Sequence, residues 1–272
     1  MFLPENIDLA HSEEYNLSIR LAPDGFSFVI HSSNDPSVFH HQGTPLGNRL
    51  SPHDHIKKVI FDLGFFSQPF KRTSVTLVTP RYTMVPEAFY DRKKVEELFM
   101  FNIYPEENES VLTDNFREGS CHILYGMDEE LHSFLSRNLW NPHFVHHSRP
   151  LMQHFKMRAA TLEKKCCFVD FHDRSMTIIA YSGETLLSAN SYPAINSHDT
   201  TFFIASVWEK LNLNQSADIL FLSGDFASQK PTVEILNKLI RNVEQLEVNP
   251  PVVADQELLL RLPTDLLVTL CE

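Results

Sequence analysis

Apolar and polar residues alternate from Leu17 to Ile30 on both sides of the turn residues Pro23-Asp24-Gly25, and the alternation returns from Cys167 to Tyr181 around Asp173-Arg174. A period of two marks a strand with one buried face, and two such runs around a polar turn mark a hairpin. Sliding the chain by 150 positions aligns Ser18–His31 with Phe168–Tyr181 without a gap, so that Ile19 meets Val169, Leu21 meets Phe171, Phe26 meets Met176 and Phe28 meets Ile178. Identity is low but the pattern agrees, which reads as an internal repeat. Each copy continues into a third strand, expected around 37–42 and 185–192, and then into a helix. In "SPHDHIKKVIFDLGFF" the residues Ile56, Val59, Ile60 and Leu63 fall at helical spacing, with Ser51 as N-cap and Pro52 at the first helical position. In "SHDTTFFIASVWEKLNLN" the stripe is Phe203, Ile204, Val207, Trp208 and Leu211, capped by Ser197 or Asp199.

A fourth strand is predicted in the second copy at 217–225, followed by the helix "PTVEILNKLIRNVEQ" and a short strand "LEV". In the first copy its best match is 120–155, which repeats strand, polar turn, helix, strand and helix. Residue 121 lies 104 positions beyond residue 17, whereas 219 lies 51 beyond 168, so about fifty extra residues are expected inside the first copy. The stretch from about 68 to 118 supplies them as a small inserted subdomain. The resulting division is a first domain over 1–163 and a second over 164–272. The final "LPTDLLVTLCE" reads as a short helix begun at Pro263, with Leu266, Leu267 and Leu270 docked on their own domain.

Two tandem units of three antiparallel strands, helix, strand, helix and strand resemble the duplicated ribonuclease-H-like fold of the actin-like ATPase superfamily, an α/β class with mixed sheets. An insertion between the first helix and the fourth strand is similar to the cell-division and type IV pilus assembly branches. The chain also resembles a bacterial domain-of-unknown-function family with an actin-like fold, through "VTPRYTMVPEAFY" (78–90) and "HFVHHSRPLMQHF" (143–155).

The resemblance implies a nucleotide gripped by glycine-bearing hairpin turns and by a Gly-Gly turn after the fourth strand, with a carboxylate holding Mg²⁺ through water. Glycine is needed there because main-chain N–H groups must approach phosphate closely. This chain has Arg20 at the acidic position of the first hairpin and Ala22 at the glycine position. The second hairpin keeps Asp170 but has His172 in place of glycine, followed by Asp173, Arg174 and Ser175. The strand-end turn is Ser223-Gly224-Asp225, one glycine short. Candidate nucleotide contacts are therefore Asp170, His172, Ser175, Gly224 and Asp225, a degenerate set in which the hairpin is expected to survive for folding. No cofactor is expected; ATP with Mg²⁺ is the alternative.

A formal charge of −12 disfavours a nucleic-acid surface, which needs clustered Lys and Arg. Cys121, Cys166, Cys167 and Cys271 lack CxxC spacing and suit buried thiols; the fourteen histidines, among them His40-His41 and His146-His147, lack ligand spacing and suit solvated or core-edge positions. Cys121 and His122 are strand neighbours on opposite faces, so they form no dyad. Walker loops and nucleophile elbows are absent. Without a leader-like start or a run long enough to cross a membrane, a soluble cytoplasmic protein is expected. "DLGFFSQPF" (62–70) and "ELFMFNIYP" (97–105) concentrate Phe and Met at the edges of the insertion; core burial is the first reading and partner binding the second. These observations favour a non-catalytic binding or scaffolding module. The insertion and the cleft between the domains are its candidate surfaces, with an unknown protein partner or self-association. An active ATPase or phosphotransferase with an atypical interdomain site is the alternative.

Overall fold

The computed structural model of the chain describes residues 4, 6–23, 25–45, 52–117 and 120–271. They fall into two compact units: Met1–Arg149 with Pro251–Leu258, and Pro150–Pro250 with Leu259–Glu272.

The first unit begins with strands β1 (Asn16–Ala22), β2 (Gly25–His31) and β3 (Phe39–Pro45), helix α1 (Pro52–Leu63) and strand β4 (Arg72–Leu77). Strand β5 (Tyr82–Pro86), helix α2 (Val95–Met100) and strands β6 (Glu109–Phe116) and β7 (Cys121–Asp128) follow, then helix α3 (Glu129–Asn138) and strand β8 (Pro142–His146); helix α4 (Ser148–Ala160) comes next, all but its first two residues in the second unit. Its five-stranded sheet has the order β3-β2-β1-β4-β8, antiparallel on the hairpin side and parallel beyond β1. Alternation along β1 sends Leu17, Ile19 and Leu21 into one core, where Ile56 and Ile60 of α1 meet them and Val59 and Leu63 close its edge. Gly64 ends α1 in the left-handed region, φ 69°, with its N–H on the Ile60 carbonyl. The cap expected at Ser51 and the turn residue Asp24 lie outside the described residues.

The second unit repeats the plan with β9 (Lys165–Phe171), β10 (Ser175–Ser182), β11 (Thr185–Pro193), helix α5 (Ser197–Lys210), β12 (Ile219–Gly224), helix α6 (Lys230–Leu239) and β13 (Asn242–Gln245). Helices α7 (Gln256–Arg261) and α8 (Thr264–Thr269) end the chain. The order β11-β10-β9-β12-β13 reproduces the first sheet, as a duplicated ribonuclease-H-like fold requires. Pairing Asn16↔His31 through Leu21↔Phe26 in one hairpin matches Cys166↔Tyr181 through Phe171↔Met176 in the other, at the same offset of 150. Cys167, Val169 and Phe171 face a core closed by Ile204, Val207 and Trp208. On the opposite face Phe155 of α4 stacks on Phe168 at 4.5 Å and Phe168 on Phe221 at 4.9 Å, so β9 is buried on both sides. The α5 cap is Asn196, whose side chain accepts from the Asp199 N–H, not Ser197 or Asp199. Helix α6 also stops earlier than its apolar pattern suggests, leaving 242–245 as the last strand in place of "LEV".

The fourth strand of the first sheet is β4, not the segment around 121. β4 lies parallel to β1, Leu21 opposite Leu77. Counted this way the copies agree, since β1 and β4 start at 16 and 72, a separation of 56, and β9 and β12 at 165 and 219, a separation of 54. The extra residues therefore follow the fourth strand instead of preceding it. The misreading has a physical origin: "RTSVTL" buries Thr73, Ser74 and Thr76, which carry little hydrophobic signal, while the more apolar and almost wholly buried β7 sits in the inserted sheet β5-β7-β6. The insertion has its own small core of Val85, Phe99 and Leu124.

Candidate functional site

At the carboxyl ends of β9 and β12 the second unit gathers three of the residues expected from the sequence, Asp170, His172 and Gly224. β9 delivers Asp170, and β12, paired to it in parallel, delivers Ser223 and Gly224 opposite Asp170 and Phe171. Asp170 is fully buried; its Oδ1 accepts from Ser223 Oγ at 2.7 Å and its Oδ2 stands 3.5 Å from His172 Nε2. Burial raises its pKa most; the His172 charge opposes that, the buried Asp265 carboxylate adds to it, and hydrogen bonds from Ser223 and Thr264 pull it back.

Three main-chain N–H groups at these two turns are spent inside the chain. The His172 N–H donates to the Ser175 carbonyl at 2.8 Å, closing the hairpin turn. The Asp225 N–H donates to the Phe171 carbonyl at 3.0 Å. The Gly224 N–H donates to Thr264 Oγ1 at 2.9 Å, a hydroxyl carried in by α8. The backbone itself requires Gly224: φ is 70°, and a Cβ built on it would run into the Phe171 main chain. Thr264 and Asp265, at the start of α8, are themselves buried, together with Leu266, Leu267 and Leu270. The last helix docks on its own unit and its first polar residues fill the ends of the strands.

The structure thus brings Asp170, His172 and Gly224 together. Ser175 begins β10 opposite Pro193, and Asp225 is exposed, with its carbonyl accepting from Ser228 Oγ. The residues that complete the cluster, Ser223, Thr264 and Asp265, are absent from the sequence-based set. A Thr-Asp pair after proline signals a helix start, and no one-dimensional pattern aims it at a strand ninety residues upstream.

In the first unit the corresponding strand ends border a cleft of about 300 Å³ that includes Ala22, Pro23, Leu77 and Val78. Its rim carries Glu106, Glu107, Glu109 and Asp128 against Arg81 and His53. Arg81 is committed: Nε and Nη2 donate to Glu109 at 2.8 and 2.7 Å, Nη2 to the Tyr104 carbonyl at 2.6 Å, and Nη1 lies 3.1 Å from Glu106. Burial alone would lift the Glu109 pKa, but hydrogen bonds from Arg81 and the Glu106 N–H, with the Arg81 charge, hold it below the ordinary value. Surplus carboxylates on this rim repel phosphate.

The histidine and cysteine expectations need correction. His146 and His147 are core residues. His146 Nε2 faces the Thr79 carbonyl at 3.0 Å, which can only accept, so the proton sits there and Nδ1 accepts from Ser148 Oγ at 2.7 Å. Burial is tolerated because the ring is satisfied. Cys121, Cys166 and Cys167 are buried but Cys271 is exposed. Phe65, Phe66 and Phe70 join the first core, whereas Phe101 and Tyr104 are 88% and 91% exposed. Among the described residues no group of three or more His, Cys, Asp or Glu is placed to hold a metal ion, and no helix is long and apolar enough to cross a membrane.

A family model described as "Protein of unknown function (DUF3822)" matches residues 4–243. A crystal structure from Bacteroides thetaiotaomicron VPI-5482, of a protein with actin-like ATPase fold and unknown function, is similar over 93% of this chain and 98% of that one, at 29% identity and a TM-score of 0.82. The PilM-PilN type IV pilus biogenesis complex contains a chain similar over 94% of this one and 96% of its own length, at 13% identity and a TM-score of 0.62. No curated protein matches. The fold is actin-like.

Proposed function

From the premise that the chain belongs to the DUF3822 family, whose function is unknown, we propose that it is a non-catalytic actin-like module that binds or scaffolds other proteins. The observation that carries this reading is the Thr264 hydroxyl on the Gly224 N–H. The main-chain donor that would face a nucleotide after the fourth strand is taken by the chain's own last helix. Filled turn amides, His172 at the glycine position and an acidic rim on the first unit support the same reading. Together these features argue against a nucleotide at this turn. The PilM-PilN complex is a precedent for this fold in a protein assembly.

A ligand that binds only the folded state raises its melting midpoint, by about 2.7 kcal/mol of added stability at a hundredfold excess over Kd. Melting curves with ATP, ADP and Mg²⁺, alone and combined, should therefore superimpose on that of the protein alone. A Mg²⁺-dependent rise lost in Asp170→Ala would establish the rival reading, an ATPase or phosphotransferase using Asp170 and the Gly224 turn.

A further inference from the structure

The cleft of the first unit has an apolar floor and a charged wall, and the two belong to different parts of the chain. Leu77 and Val78, at the end of β4, and Met127 of β7 lie on the floor. The loop from Glu106 to Glu109 forms the wall. Four carboxylates line the cleft against one guanidinium, a formal −3 from its Asp, Glu and Arg side chains, the Glu109 carboxylate itself almost buried. Arg81 uses its donors on Glu109, Glu106 and the Tyr104 carbonyl, so the surplus rests on Glu107, the outer face of Glu106 and Asp128. Asp128 also accepts the Leu131 N–H and lies 3.6 Å from His53. The segment that leads into this wall carries the two exposed rings Phe101 and Tyr104.

We propose that this cleft receives a segment of a partner protein in which an apolar side chain is followed closely by Lys or Arg. The inference rests on the binding-module reading and names the chemistry of its partner. The volume, about 300 Å³, is at the lower end of ligand sites and suits one or two side chains. A cationic head leaving that pocket meets Glu106 and Glu107. Charge complementarity of this kind selects partners and speeds encounter. Acidic peptides and nucleic acid meet like charge at the same rim.

The test is a display library of random twelve-residue peptides selected on the immobilised full chain, with enriched peptides then measured by fluorescence anisotropy. Enriched sequences are expected to place Lys or Arg beside Leu, Ile, Phe or Trp. Their affinity should fall at least about tenfold in the double variant Glu106→Lys, Glu107→Lys, and should weaken as salt is raised. Glu107→Gln, at an exposed residue, gives a smaller loss in the same direction and keeps the comparison should the reversal disturb Arg81. No enrichment, enrichment of acidic sequences, or equal binding by parent and variants would overturn the proposal. The nucleotide melting series is run on the same protein: a Mg²⁺·ATP shift beside intact peptide selection defeats the non-catalytic reading alone, and absent selection beside flat melting curves defeats the cleft alone.

Discussion

Leu77 and Gly224 occupy the same place in two copies of one sheet, opposite Leu21 and Phe171 at the end of the central strand. The next residue makes the same bond in both: the Val78 N–H donates to the Leu21 carbonyl at 2.8 Å and the Asp225 N–H to the Phe171 carbonyl at 3.0 Å. The first unit carries on from there into an inserted sheet, while the second turns at once, at φ 70°, toward α6. Glycine is thus required where the chain turns back against β9 and dispensable where it runs on. A glycine that looks like the remnant of a nucleotide motif is explained by the course of the backbone, and the amides of His172, Gly224 and Asp225 are bonded within the chain.

The largest effect that tests this contrast is Gly224→Ala. A Cβ meets the Phe171 main chain in a left-handed conformation, so a loss of about 4 kcal/mol or an insoluble chain is expected. Leu77→Ala, at the matching half-buried position, should cost about 2 kcal/mol. Denaturant midpoints compare the two, and a Gly224→Ala protein as stable as its parent would break the argument.

Acid separates the units next. His31 of β2 and Tyr181 of β10 are register equivalents. Tyr181 donates its hydroxyl to the Met152 carbonyl at 2.9 Å, whereas burial, and behind it the Arg72 charge, push the His31 ring down to about 4. Between about 4 and the ordinary value of 6.5 the unfolded chain binds the proton that the folded ring refuses. Stability is therefore lost as pH falls through that window, by about 3 kcal/mol in full. His31→Gln should flatten the acid arm of the stability curve; an unchanged acid arm would show that the ring is not the sensor.

Smaller, and opposite in sign, is Asp170→Asn. Arg20 stands at the equivalent position of the first hairpin. Because burial raises the Asp170 pKa, the folded state holds a proton longer than the unfolded chain, and stability falls as pH rises from the unfolded value through the folded one. The amide removes that cost while keeping an oxygen for Ser223. A gain of about 1 kcal/mol, a few degrees in Tm, is expected at neutral pH and shrinks as the pH is lowered toward the ordinary carboxyl value. A large loss instead would mark Asp170 as a structural anchor. Least disruptive is thiol labelling: burial pushes Cys121 and Cys166 up to about 11 and Cys167 up to about 12, so iodoacetamide should modify only Cys271 in the folded protein.

The duplicated hairpins were legible because alternation is strong in both and their turn residues coincide at a fixed offset. The fold class followed from their order with the helices. β4 was not legible, since Thr73, Ser74 and Thr76 are buried on hydrogen-bonded backbone and give no apolar signal beside β7. Of the site, Asp170, His172 and Gly224 could be found by aligning the copies. Thr264 and Asp265 could not, because which strand end a distant helix plugs is a property of tertiary structure, not of local pattern.

Eight glycines make the central claim accessible to one spectrum, that of the full chain labelled with ¹⁵N-glycine. The account predicts that the Gly224 amide signal, identified by its movement in Thr264→Ala, stays in place when excess Mg²⁺·ATP is added. A shift of that signal on adding nucleotide to the parent protein would contradict it.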